Sequence, residues 1–305
     1  MNDLDAVRLA FDARTLRLLD LILGLVMYGV ALDLRLGHFT ALVRRPCPPL
    51  VGLVAQLALL PAATFVLTLV LVPGRPSLAL GMLLVSACPG GNVSNFLTHL
   101  AGGRTSVSIG MTAVTTAACV VLLPLQLTFW GGLRDDTAAL LSSVALDPLE
   151  LLGTIAALLV LPTVLGMATA ARLPRVATAL RRPWRVGSIL SFLAFVAVAF
   201  HANYDAFARF VGVVFAPVAI MNAFALALGW GTAWLAGLRV ADRRAVTFEV
   251  GIQNSGLALV LVFAFFEGLG GMAVIAAWWG LWHLVTGFAL AATWARDPRS
   301  GRNGG

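Results

Sequence analysis

The 305-residue chain contains no lysine, only three cysteines and four histidines, and little charge of any kind, 11% in all. Each scarcity excludes something. Cys47, Cys88 and Cys119 lie in or beside apolar stretches without paired spacing, so neither a disulfide framework nor a zinc site is readable. There is no glycine-rich phosphate loop and no histidine cluster at metal-ligand spacing, and no cofactor is expected. A soluble domain carries about 25% charged residues, which sets this chain apart. Its 21 basic residues are all arginine, and the net charge of +7 would suit nucleic acid were it gathered in one patch. Instead the arginines fall in short segments between apolar runs, where membrane orientation places them, so no nucleic-acid partner is expected.

What fills the chain is hydrocarbon. Apolar residues make up 60% of it and the mean hydropathy is +0.92. The length has room for roughly nine or ten spans of about 20 residues. Spans are expected near 17–34, 47–72, 76–102, 104–130, 149–171, 184–203, 207–237, 244–266 and 269–295. The fold class is therefore an all-α membrane protein of about nine transmembrane helices. Residues 1–16 form an N-terminal tail, 17–295 a single transmembrane domain and 296–305 a second tail.

Arginine sets the orientation. With the 35–46 segment in the cytoplasm, that side receives Arg35, Arg44, Arg45, Arg104, Arg172, Arg175, Arg181, Arg182, Arg185, Arg239, Arg243, Arg244, Arg296, Arg299 and Arg302. The opposite side keeps Arg75, Arg134 and Arg209 beside Asp135, Asp136, Asp147, Glu150, Asp205 and Glu267. This positive-inside pattern puts the C-terminus in the cytoplasm and, with an odd number of spans, the N-terminus outside. No cleavable signal peptide is read, since Asp3, Asp5 and Asp12 precede a first apolar run long enough to span. A plasma membrane, in a bacterium the inner one, is the expected location.

Two expected spans are interrupted. Cys88-Pro89-Gly90-Gly91 followed by Asn92, Ser94 and Asn95 breaks one near 88–95. About 155 residues further on, Glu249-Val250-Gly251-Ile252-Gln253-Asn254-Ser255-Gly256 breaks another near 251–256. Polar groups at membrane depth survive only when buried in protein, and usually serve function. Each break is the middle member of a triplet, 47–130 and 207–295, and the two triplets start on opposite sides of the membrane. Inverted repeats with two crossing, broken helices bring half-helix ends to one midplane point, the mark of a secondary transporter.

The segments Cys88 to Asn95 and Glu249 to Gly256 resemble the crossover motifs of the bile acid:sodium symporter family, over nearly the whole chain from about Leu18. The first span, with Gly24, Met27, Tyr28, Gly29 and Leu32, is similar to that family's second helix. Gln56 to Pro61 matches the Gln-x4-Pro of the next, so the chain resembles the nine-helix form. The resemblance implies a first sodium site of Ser94, Asn95, Ser108, Thr112 and Glu249. It implies a second of Gln56, Glu249, Gln253 and the carbonyls of Val250 and Ile252. Independently, neutral oxygens with one carboxylate suit a small hard cation, and Ser108 and Thr112, four apart, share a helix face.

The same resemblance implies an organic-anion substrate, possibly bile-acid-like or a small carboxylate, with Asn92, Asn254 and His283 as its polar contacts. The family often has Asn after that histidine, where this chain has Leu284. Each residue also has a plainer reading. Ser108 and Thr112 can be packing hydroxyls, Gln56 interhelical glue, Pro89-Gly90-Gly91 a kink and His283 a structural histidine. The function expected is a sodium-coupled symporter, not an enzyme, that imports an organic anion by alternating access. A core of 47–130 and 207–295 would work against a panel of 17–34 and 149–203. The alternatives are a metalloid oxyanion exporter, suggested by Cys88, and an intramembrane enzyme using Glu249 or His283.

Overall fold

A computed structural model of the protein describes residues 13–32, 45–143, 148–202 and 204–296. Among these it is helical throughout, with no strand beyond one isolated bridge. Helix α1 is Ala13–Ala31, α2 Cys47–Leu71, α3 Pro76–Ala87, α4 Asn92–Leu100 and α5 Thr105–Gly132. Then come α6 (Asp135–Ser143), α7 (148–172), α8 (Pro174–Ala202), α9 (Tyr204–Leu235), α10 (Val240–Gly251), α11 (Ser255–Phe265) and α12 (Gly270–Ala295). Among the described residues, five stretches are long and apolar enough to cross a membrane: α2, α5, Leu152–Arg172 of α7, Phe210–Leu235 of α9, and α12. Helices α1 and α8 occupy the expected spans 17–34 and 184–203, of which 33, 34 and 203 lie outside the described residues.

The two breaks fall where backbone chemistry puts them. Pro89 disfavours helix at the residue before it, and Cys88 is extended, with ψ 150°, ending α3. The chain re-enters helix at Asn92, so Ser94 and Asn95 sit in the first turn of α4 and not in the break that the sequence pattern marked as far as 95. The second break is likewise shorter than expected, confined to 252–254. Helices α3 and α11, at 12 and 11 residues, rise only about 18 and 16 Å, well short of the roughly 30 Å of hydrocarbon. Each needs the half-helix across its break. Both are buried nearly all round, as apolar helices without a polar face must be.

Two further irregularities were not legible. Ala55–Leu59 in α2 and Ala156–Val160 in α7 are π-helical, each ending shortly before a proline, Pro61 and Pro162. Proline has no N–H for the carbonyl four residues back and crowds it, and one wide turn relieves that clash. The segment expected as the 131–148 loop also holds α6, whose first turn is acidic with Asp135 and Asp136, as a helix N-terminus favours.

Packing divides the helices. α1, α7 and α8 pack on one another, with Tyr28 donating to Thr169 at 3.0 Å and the Trp184 indole to the Leu25 carbonyl at 2.6 Å. α3 runs against α12, α9 against α10 and α12, and α5 against α3 and α10. Gly81 permits the α3–α12 approach, since a Cβ there would stand 2.9 Å from Met272 Cα. α1 touches α11, and α7 touches α5.

Outside the apolar body, Arg134 is almost buried and pairs with Asp136 at 2.9 and 2.6 Å while donating to the Thr68 carbonyl at 3.0 Å. Arg134 holds the Asp136 carboxyl below its ordinary value, chiefly by hydrogen bonding. Asp136→Ala is expected to cost about 1–3 kcal/mol at neutral pH by leaving the buried guanidinium short of a partner. A depressed carboxyl stabilises above its unfolded pKa and loses that contribution as pH falls through the folded one. Thermal unfolding in detergent should therefore show parent and variant converging as pH drops below the ordinary carboxylate range; a constant gap would refute the pairing.

Candidate functional site

The breaks meet. Gly90 and Gln253 form an antiparallel bridge, and the Asn254 N–H donates to the Pro89 carbonyl at 2.9 Å. Beyond the crossing, α4 packs beside α10, and the arrangement is tied again at the far end. There Arg104 N–H donates to Ala241 O at 2.8 Å, Arg104 pairs with Asp242 at 2.8 Å, and buried Arg244 donates to Ala101 O at 2.6 Å.

Between these two ties sits Glu249, fully buried on α10. Ser94 of α4 donates to its Oε1 at 2.5 Å, Ser108 of α5 at 2.5 Å and Thr112, one turn on, at 3.0 Å to each carboxylate oxygen. Ser108 also lies 2.7 Å from Asn95 Oδ1, and Thr112 3.4 Å from it. Thus Ser94, Asn95, Ser108, Thr112 and Glu249, distant in sequence, share one cluster.

The Gly91 and Ser108 carbonyls have backbone donors of their own, Ser94 N–H on Gly91 O and the i+4 helical N–H on Ser108 O, so the three hydroxyl protons fall to Asn95 Oδ1 and the two Glu249 oxygens. Neutral oxygens gathered on a buried carboxylate that, among the described residues, has no arginine or histidine bonded to it are the ligand types a small hard cation takes. Thr98 completes the wall, its hydroxyl 3.3 Å from that of Ser108.

Of the second set, Gln56, Gln253 and the Val250 carbonyl are linked to one another, while Glu249 bonds within the first cluster. Gln56, in the π turn of α2, donates to Gln253 Oε1 at 3.3 Å, and Gln253 in turn donates to the Val250 carbonyl at 2.8 Å. Gln56 Oε1 is buried without a hydrogen-bond partner. Ile252 is extended at the break, its N–H bonded to Phe248 O. An orphaned buried carbonyl costs about 1–3 kcal/mol, so a ligand for it is expected.

The substrate candidates come together less well. Asn254 Oδ1 caps α11 by accepting from Leu257 N at 3.0 Å, and its Nδ2 faces Met27 Sδ of α1 at 3.6 Å. Asn92 opens α4, but its side chain lies outside the described residues. His283 is buried on α12 beside Trp279, with Nδ1 lacking a hydrogen-bond partner. Sequence reasoning missed three polar residues around the site: Asn222, Thr286 and Gln126, which bond to one another or to backbone near the breaks. A lone amide or hydroxyl in an apolar helix carries no motif, so only the fold could reveal them.

Residues 20–210 match the model of the Sodium Bile acid symporter family. The chain belongs to that family. Over 283 residues it is 28% identical to a protein of Bacillus subtilis described as an uncharacterized sodium-dependent transporter, covering 92% of this chain and 84% of that one. It is 27% identical over 252 residues to the human ileal sodium/bile acid cotransporter, covering 80% and 68%. A chloroplastic protein of Arabidopsis thaliana, named as a probable sodium/metabolite cotransporter, is 28% identical over 280 residues. That relative is longer, and the match spans 90% of this chain but 66% of it. The alignments to these three relatives are long enough to take in a large part of the transmembrane body described above.

The site's tightest point is Gly90, where a Cβ would run into Glu249 Oε2 and lie 3.6 Å from Ser94 Oγ. A Cβ at the neighbouring Gly91 would meet nothing within 4 Å. Gly90→Ala is expected to lose about 1–3 kcal/mol of stability by overpacking, and Gly91→Ala to be near neutral. Unfolding curves of the two variants side by side check this, and equal effects would mean that the carboxylate is not held against the crossing.

Proposed function

We propose that the protein is a sodium-coupled symporter that carries an organic anion across the membrane by alternating access. The carrying observation is the oxygen cluster on Glu249, with four neutral oxygen-bearing side chains and no cationic side chain, among the described residues, around one buried carboxylate. Sodium supplies the missing positive charge. Ser94, Asn95, Ser108, Thr112 and Glu249 would hold one ion; Gln56, Gln253, Glu249 and the carbonyls of Val250 and Ile252 a second. The family and the names of its sodium-dependent members support this assignment.

On this reading the triplets 47–130 and 207–295 form an inverted-repeat core of a nine-helix body. The panel is α1, α7 and α8, hydrogen-bonded within itself. Across its boundary with the core, Asn254 meets the Met27 thioether, and Leu23, Met27, Ile155 and Leu159 join the core's apolar cluster, a non-directional packing that suits shear. The substrate site would lie along that boundary, with Asn254, Asn92 and His283 as its polar candidates. The exporter alternative rests on Cys88, whose side chain is packed into the apolar cluster, and the enzyme alternative has no support from the family.

Purified protein in proteoliposomes, given an inward sodium gradient and a panel of labelled carboxylates and bile acids, should accumulate at least one of them, and choline should not replace sodium. Glu249→Gln keeps shape and removes charge; sodium-dependent uptake should fall by at least about tenfold, while size-exclusion behaviour stays that of the parent. Undiminished uptake by that variant would refute the coupling assignment.

Orientation is tested separately. In a background lacking Cys47, Cys88 and Cys119, Ser142→Cys, at an exposed position of α6, should react with an impermeant thiol reagent in intact cells. Arg175→Cys, exposed at the start of α8, should react only after permeabilisation. Reversed labelling would invert the topology and with it the direction of uptake.

A further inference from the structure

Each break in a helix releases a backbone carbonyl from its usual donor, and here two of those carbonyls are answered by amide side chains from neighbouring helices. Leu57 O would ordinarily accept from the residue four along, which is Pro61 and has no N–H. Gln126 of α5 donates to it instead, at 2.7 Å. Gly251 O would accept from Ser255, whose N–H is turned to Gln253 O at the second break. Asn222 of α9, fully buried, donates to it at 2.9 Å, and Thr286 of α12 donates to Asn222 Oδ1 at 2.6 Å.

The two carbonyls are neighbours of the two glutamines that face each other. Leu57 follows Gln56 inside the π turn, and Gly251 precedes Gln253 by two residues at the break. Position and rotation of each glutamine therefore depend on backbone that would otherwise have a strong reason to rearrange, since an unsatisfied carbonyl in hydrocarbon costs several kcal/mol. Thr286 fixes the sense of the Asn222 amide: a hydroxyl donating to Oδ1 leaves Nδ2 to face the carbonyl. Asn222 on Gly251 O also reserves that oxygen, so the carbonyls left to an ion are those beside it.

We infer that Gln126 and Asn222, the latter locked by Thr286, are positioning residues for the second cation site: they hold the Gln56 π turn and the Gln253 break in fixed relation to each other. This rests on the sodium reading above and adds to it how the second site is kept in register. Groups that hold a metal's ligands in place set its affinity without touching it, and their loss typically weakens binding by about 10–100-fold.

The test is a sodium titration of thermal stability on the purified full chain, with choline chloride holding ionic strength constant and no organic substrate present. Parent protein should show a sodium-specific rise in midpoint temperature. Asn222→Leu and Gln126→Leu should raise the sodium concentration at half-effect about tenfold or more, and Thr286→Val should do the same while Thr286→Ser restores the parent value. A purely structural role would lower the sodium-free midpoint and leave the half-effect concentration unmoved. That outcome, in variants whose parent responds to sodium, overturns the inference and spares the sodium reading. A parent indifferent to sodium over choline overturns the reading itself. Should Asn222→Leu fail to fold, Thr286→Val, which retains the Asn222 side chain and removes only the hydroxyl that orients it, decides the matter.

Discussion

A polypeptide that stops being helical inside hydrocarbon must find a protein partner for every backbone group it frees, and most of this structure answers that demand. The two breaks answer part of it for each other: extended chain at 88–91 pairs with extended chain at 252–254 through the Gly90–Gln253 bridge and the Asn254-to-Pro89 bond. Neither break would be tolerable alone. The crossing follows from this reciprocity, and so does the close approach of Gly90 to the Glu249 carboxylate. The π turn in α2 poses the same problem in miniature, and Gln126 answers it.

Once the breaks are paired, side chains on the half-helices are forced into one another's company. Glu249 ends α10 close to the crossing, Ser94 starts α4 on its other side, and α5 lays Ser108 and Thr112 alongside. A carboxylate buried this completely costs several kcal/mol to keep ionised without a cation, and hydroxyl donors repay only part of it. On the symport reading the remaining deficit would be the thermodynamic handle for coupling. An ion that cancelled it would also draw α4, α5 and α10 together, because the oxygens gathered at Glu249 come from all three.

Much of this was legible in the sequence, for definite reasons. Pro89-Gly90-Gly91 in an apolar run announces a break because proline and glycine act locally, whatever the tertiary context. Ser108 and Thr112 share a face because helical periodicity alone says so. The extent of each break was overestimated, since polar residues such as Ser94 and Asn95 look like loop but are recruited into the first turn of a half-helix by the site itself. Asn254, expected as a substrate contact, spends its carbonyl capping α11, a role no pattern distinguishes from ligand binding. Asn222, Thr286 and Gln126 were invisible because their meaning lies in partners 29, 64 and 69 residues away.

On the symport reading, the arrangement explains why sodium should precede the anion. Before an ion binds, an ionised Glu249 would make the crossing negative, and an organic carboxylate brought beside it would meet repulsion strengthened by low dielectric. One ion cancels that charge and a second reverses it, so the same place changes from hostile to attractive. The N-termini of α4 and α11, which start at the crossing, then add their partial positive charge. Coupling of this kind needs no long-range signal. It requires only that ion and substrate be felt by the same few buried dipoles, which a crossing of two broken helices brings to a single point.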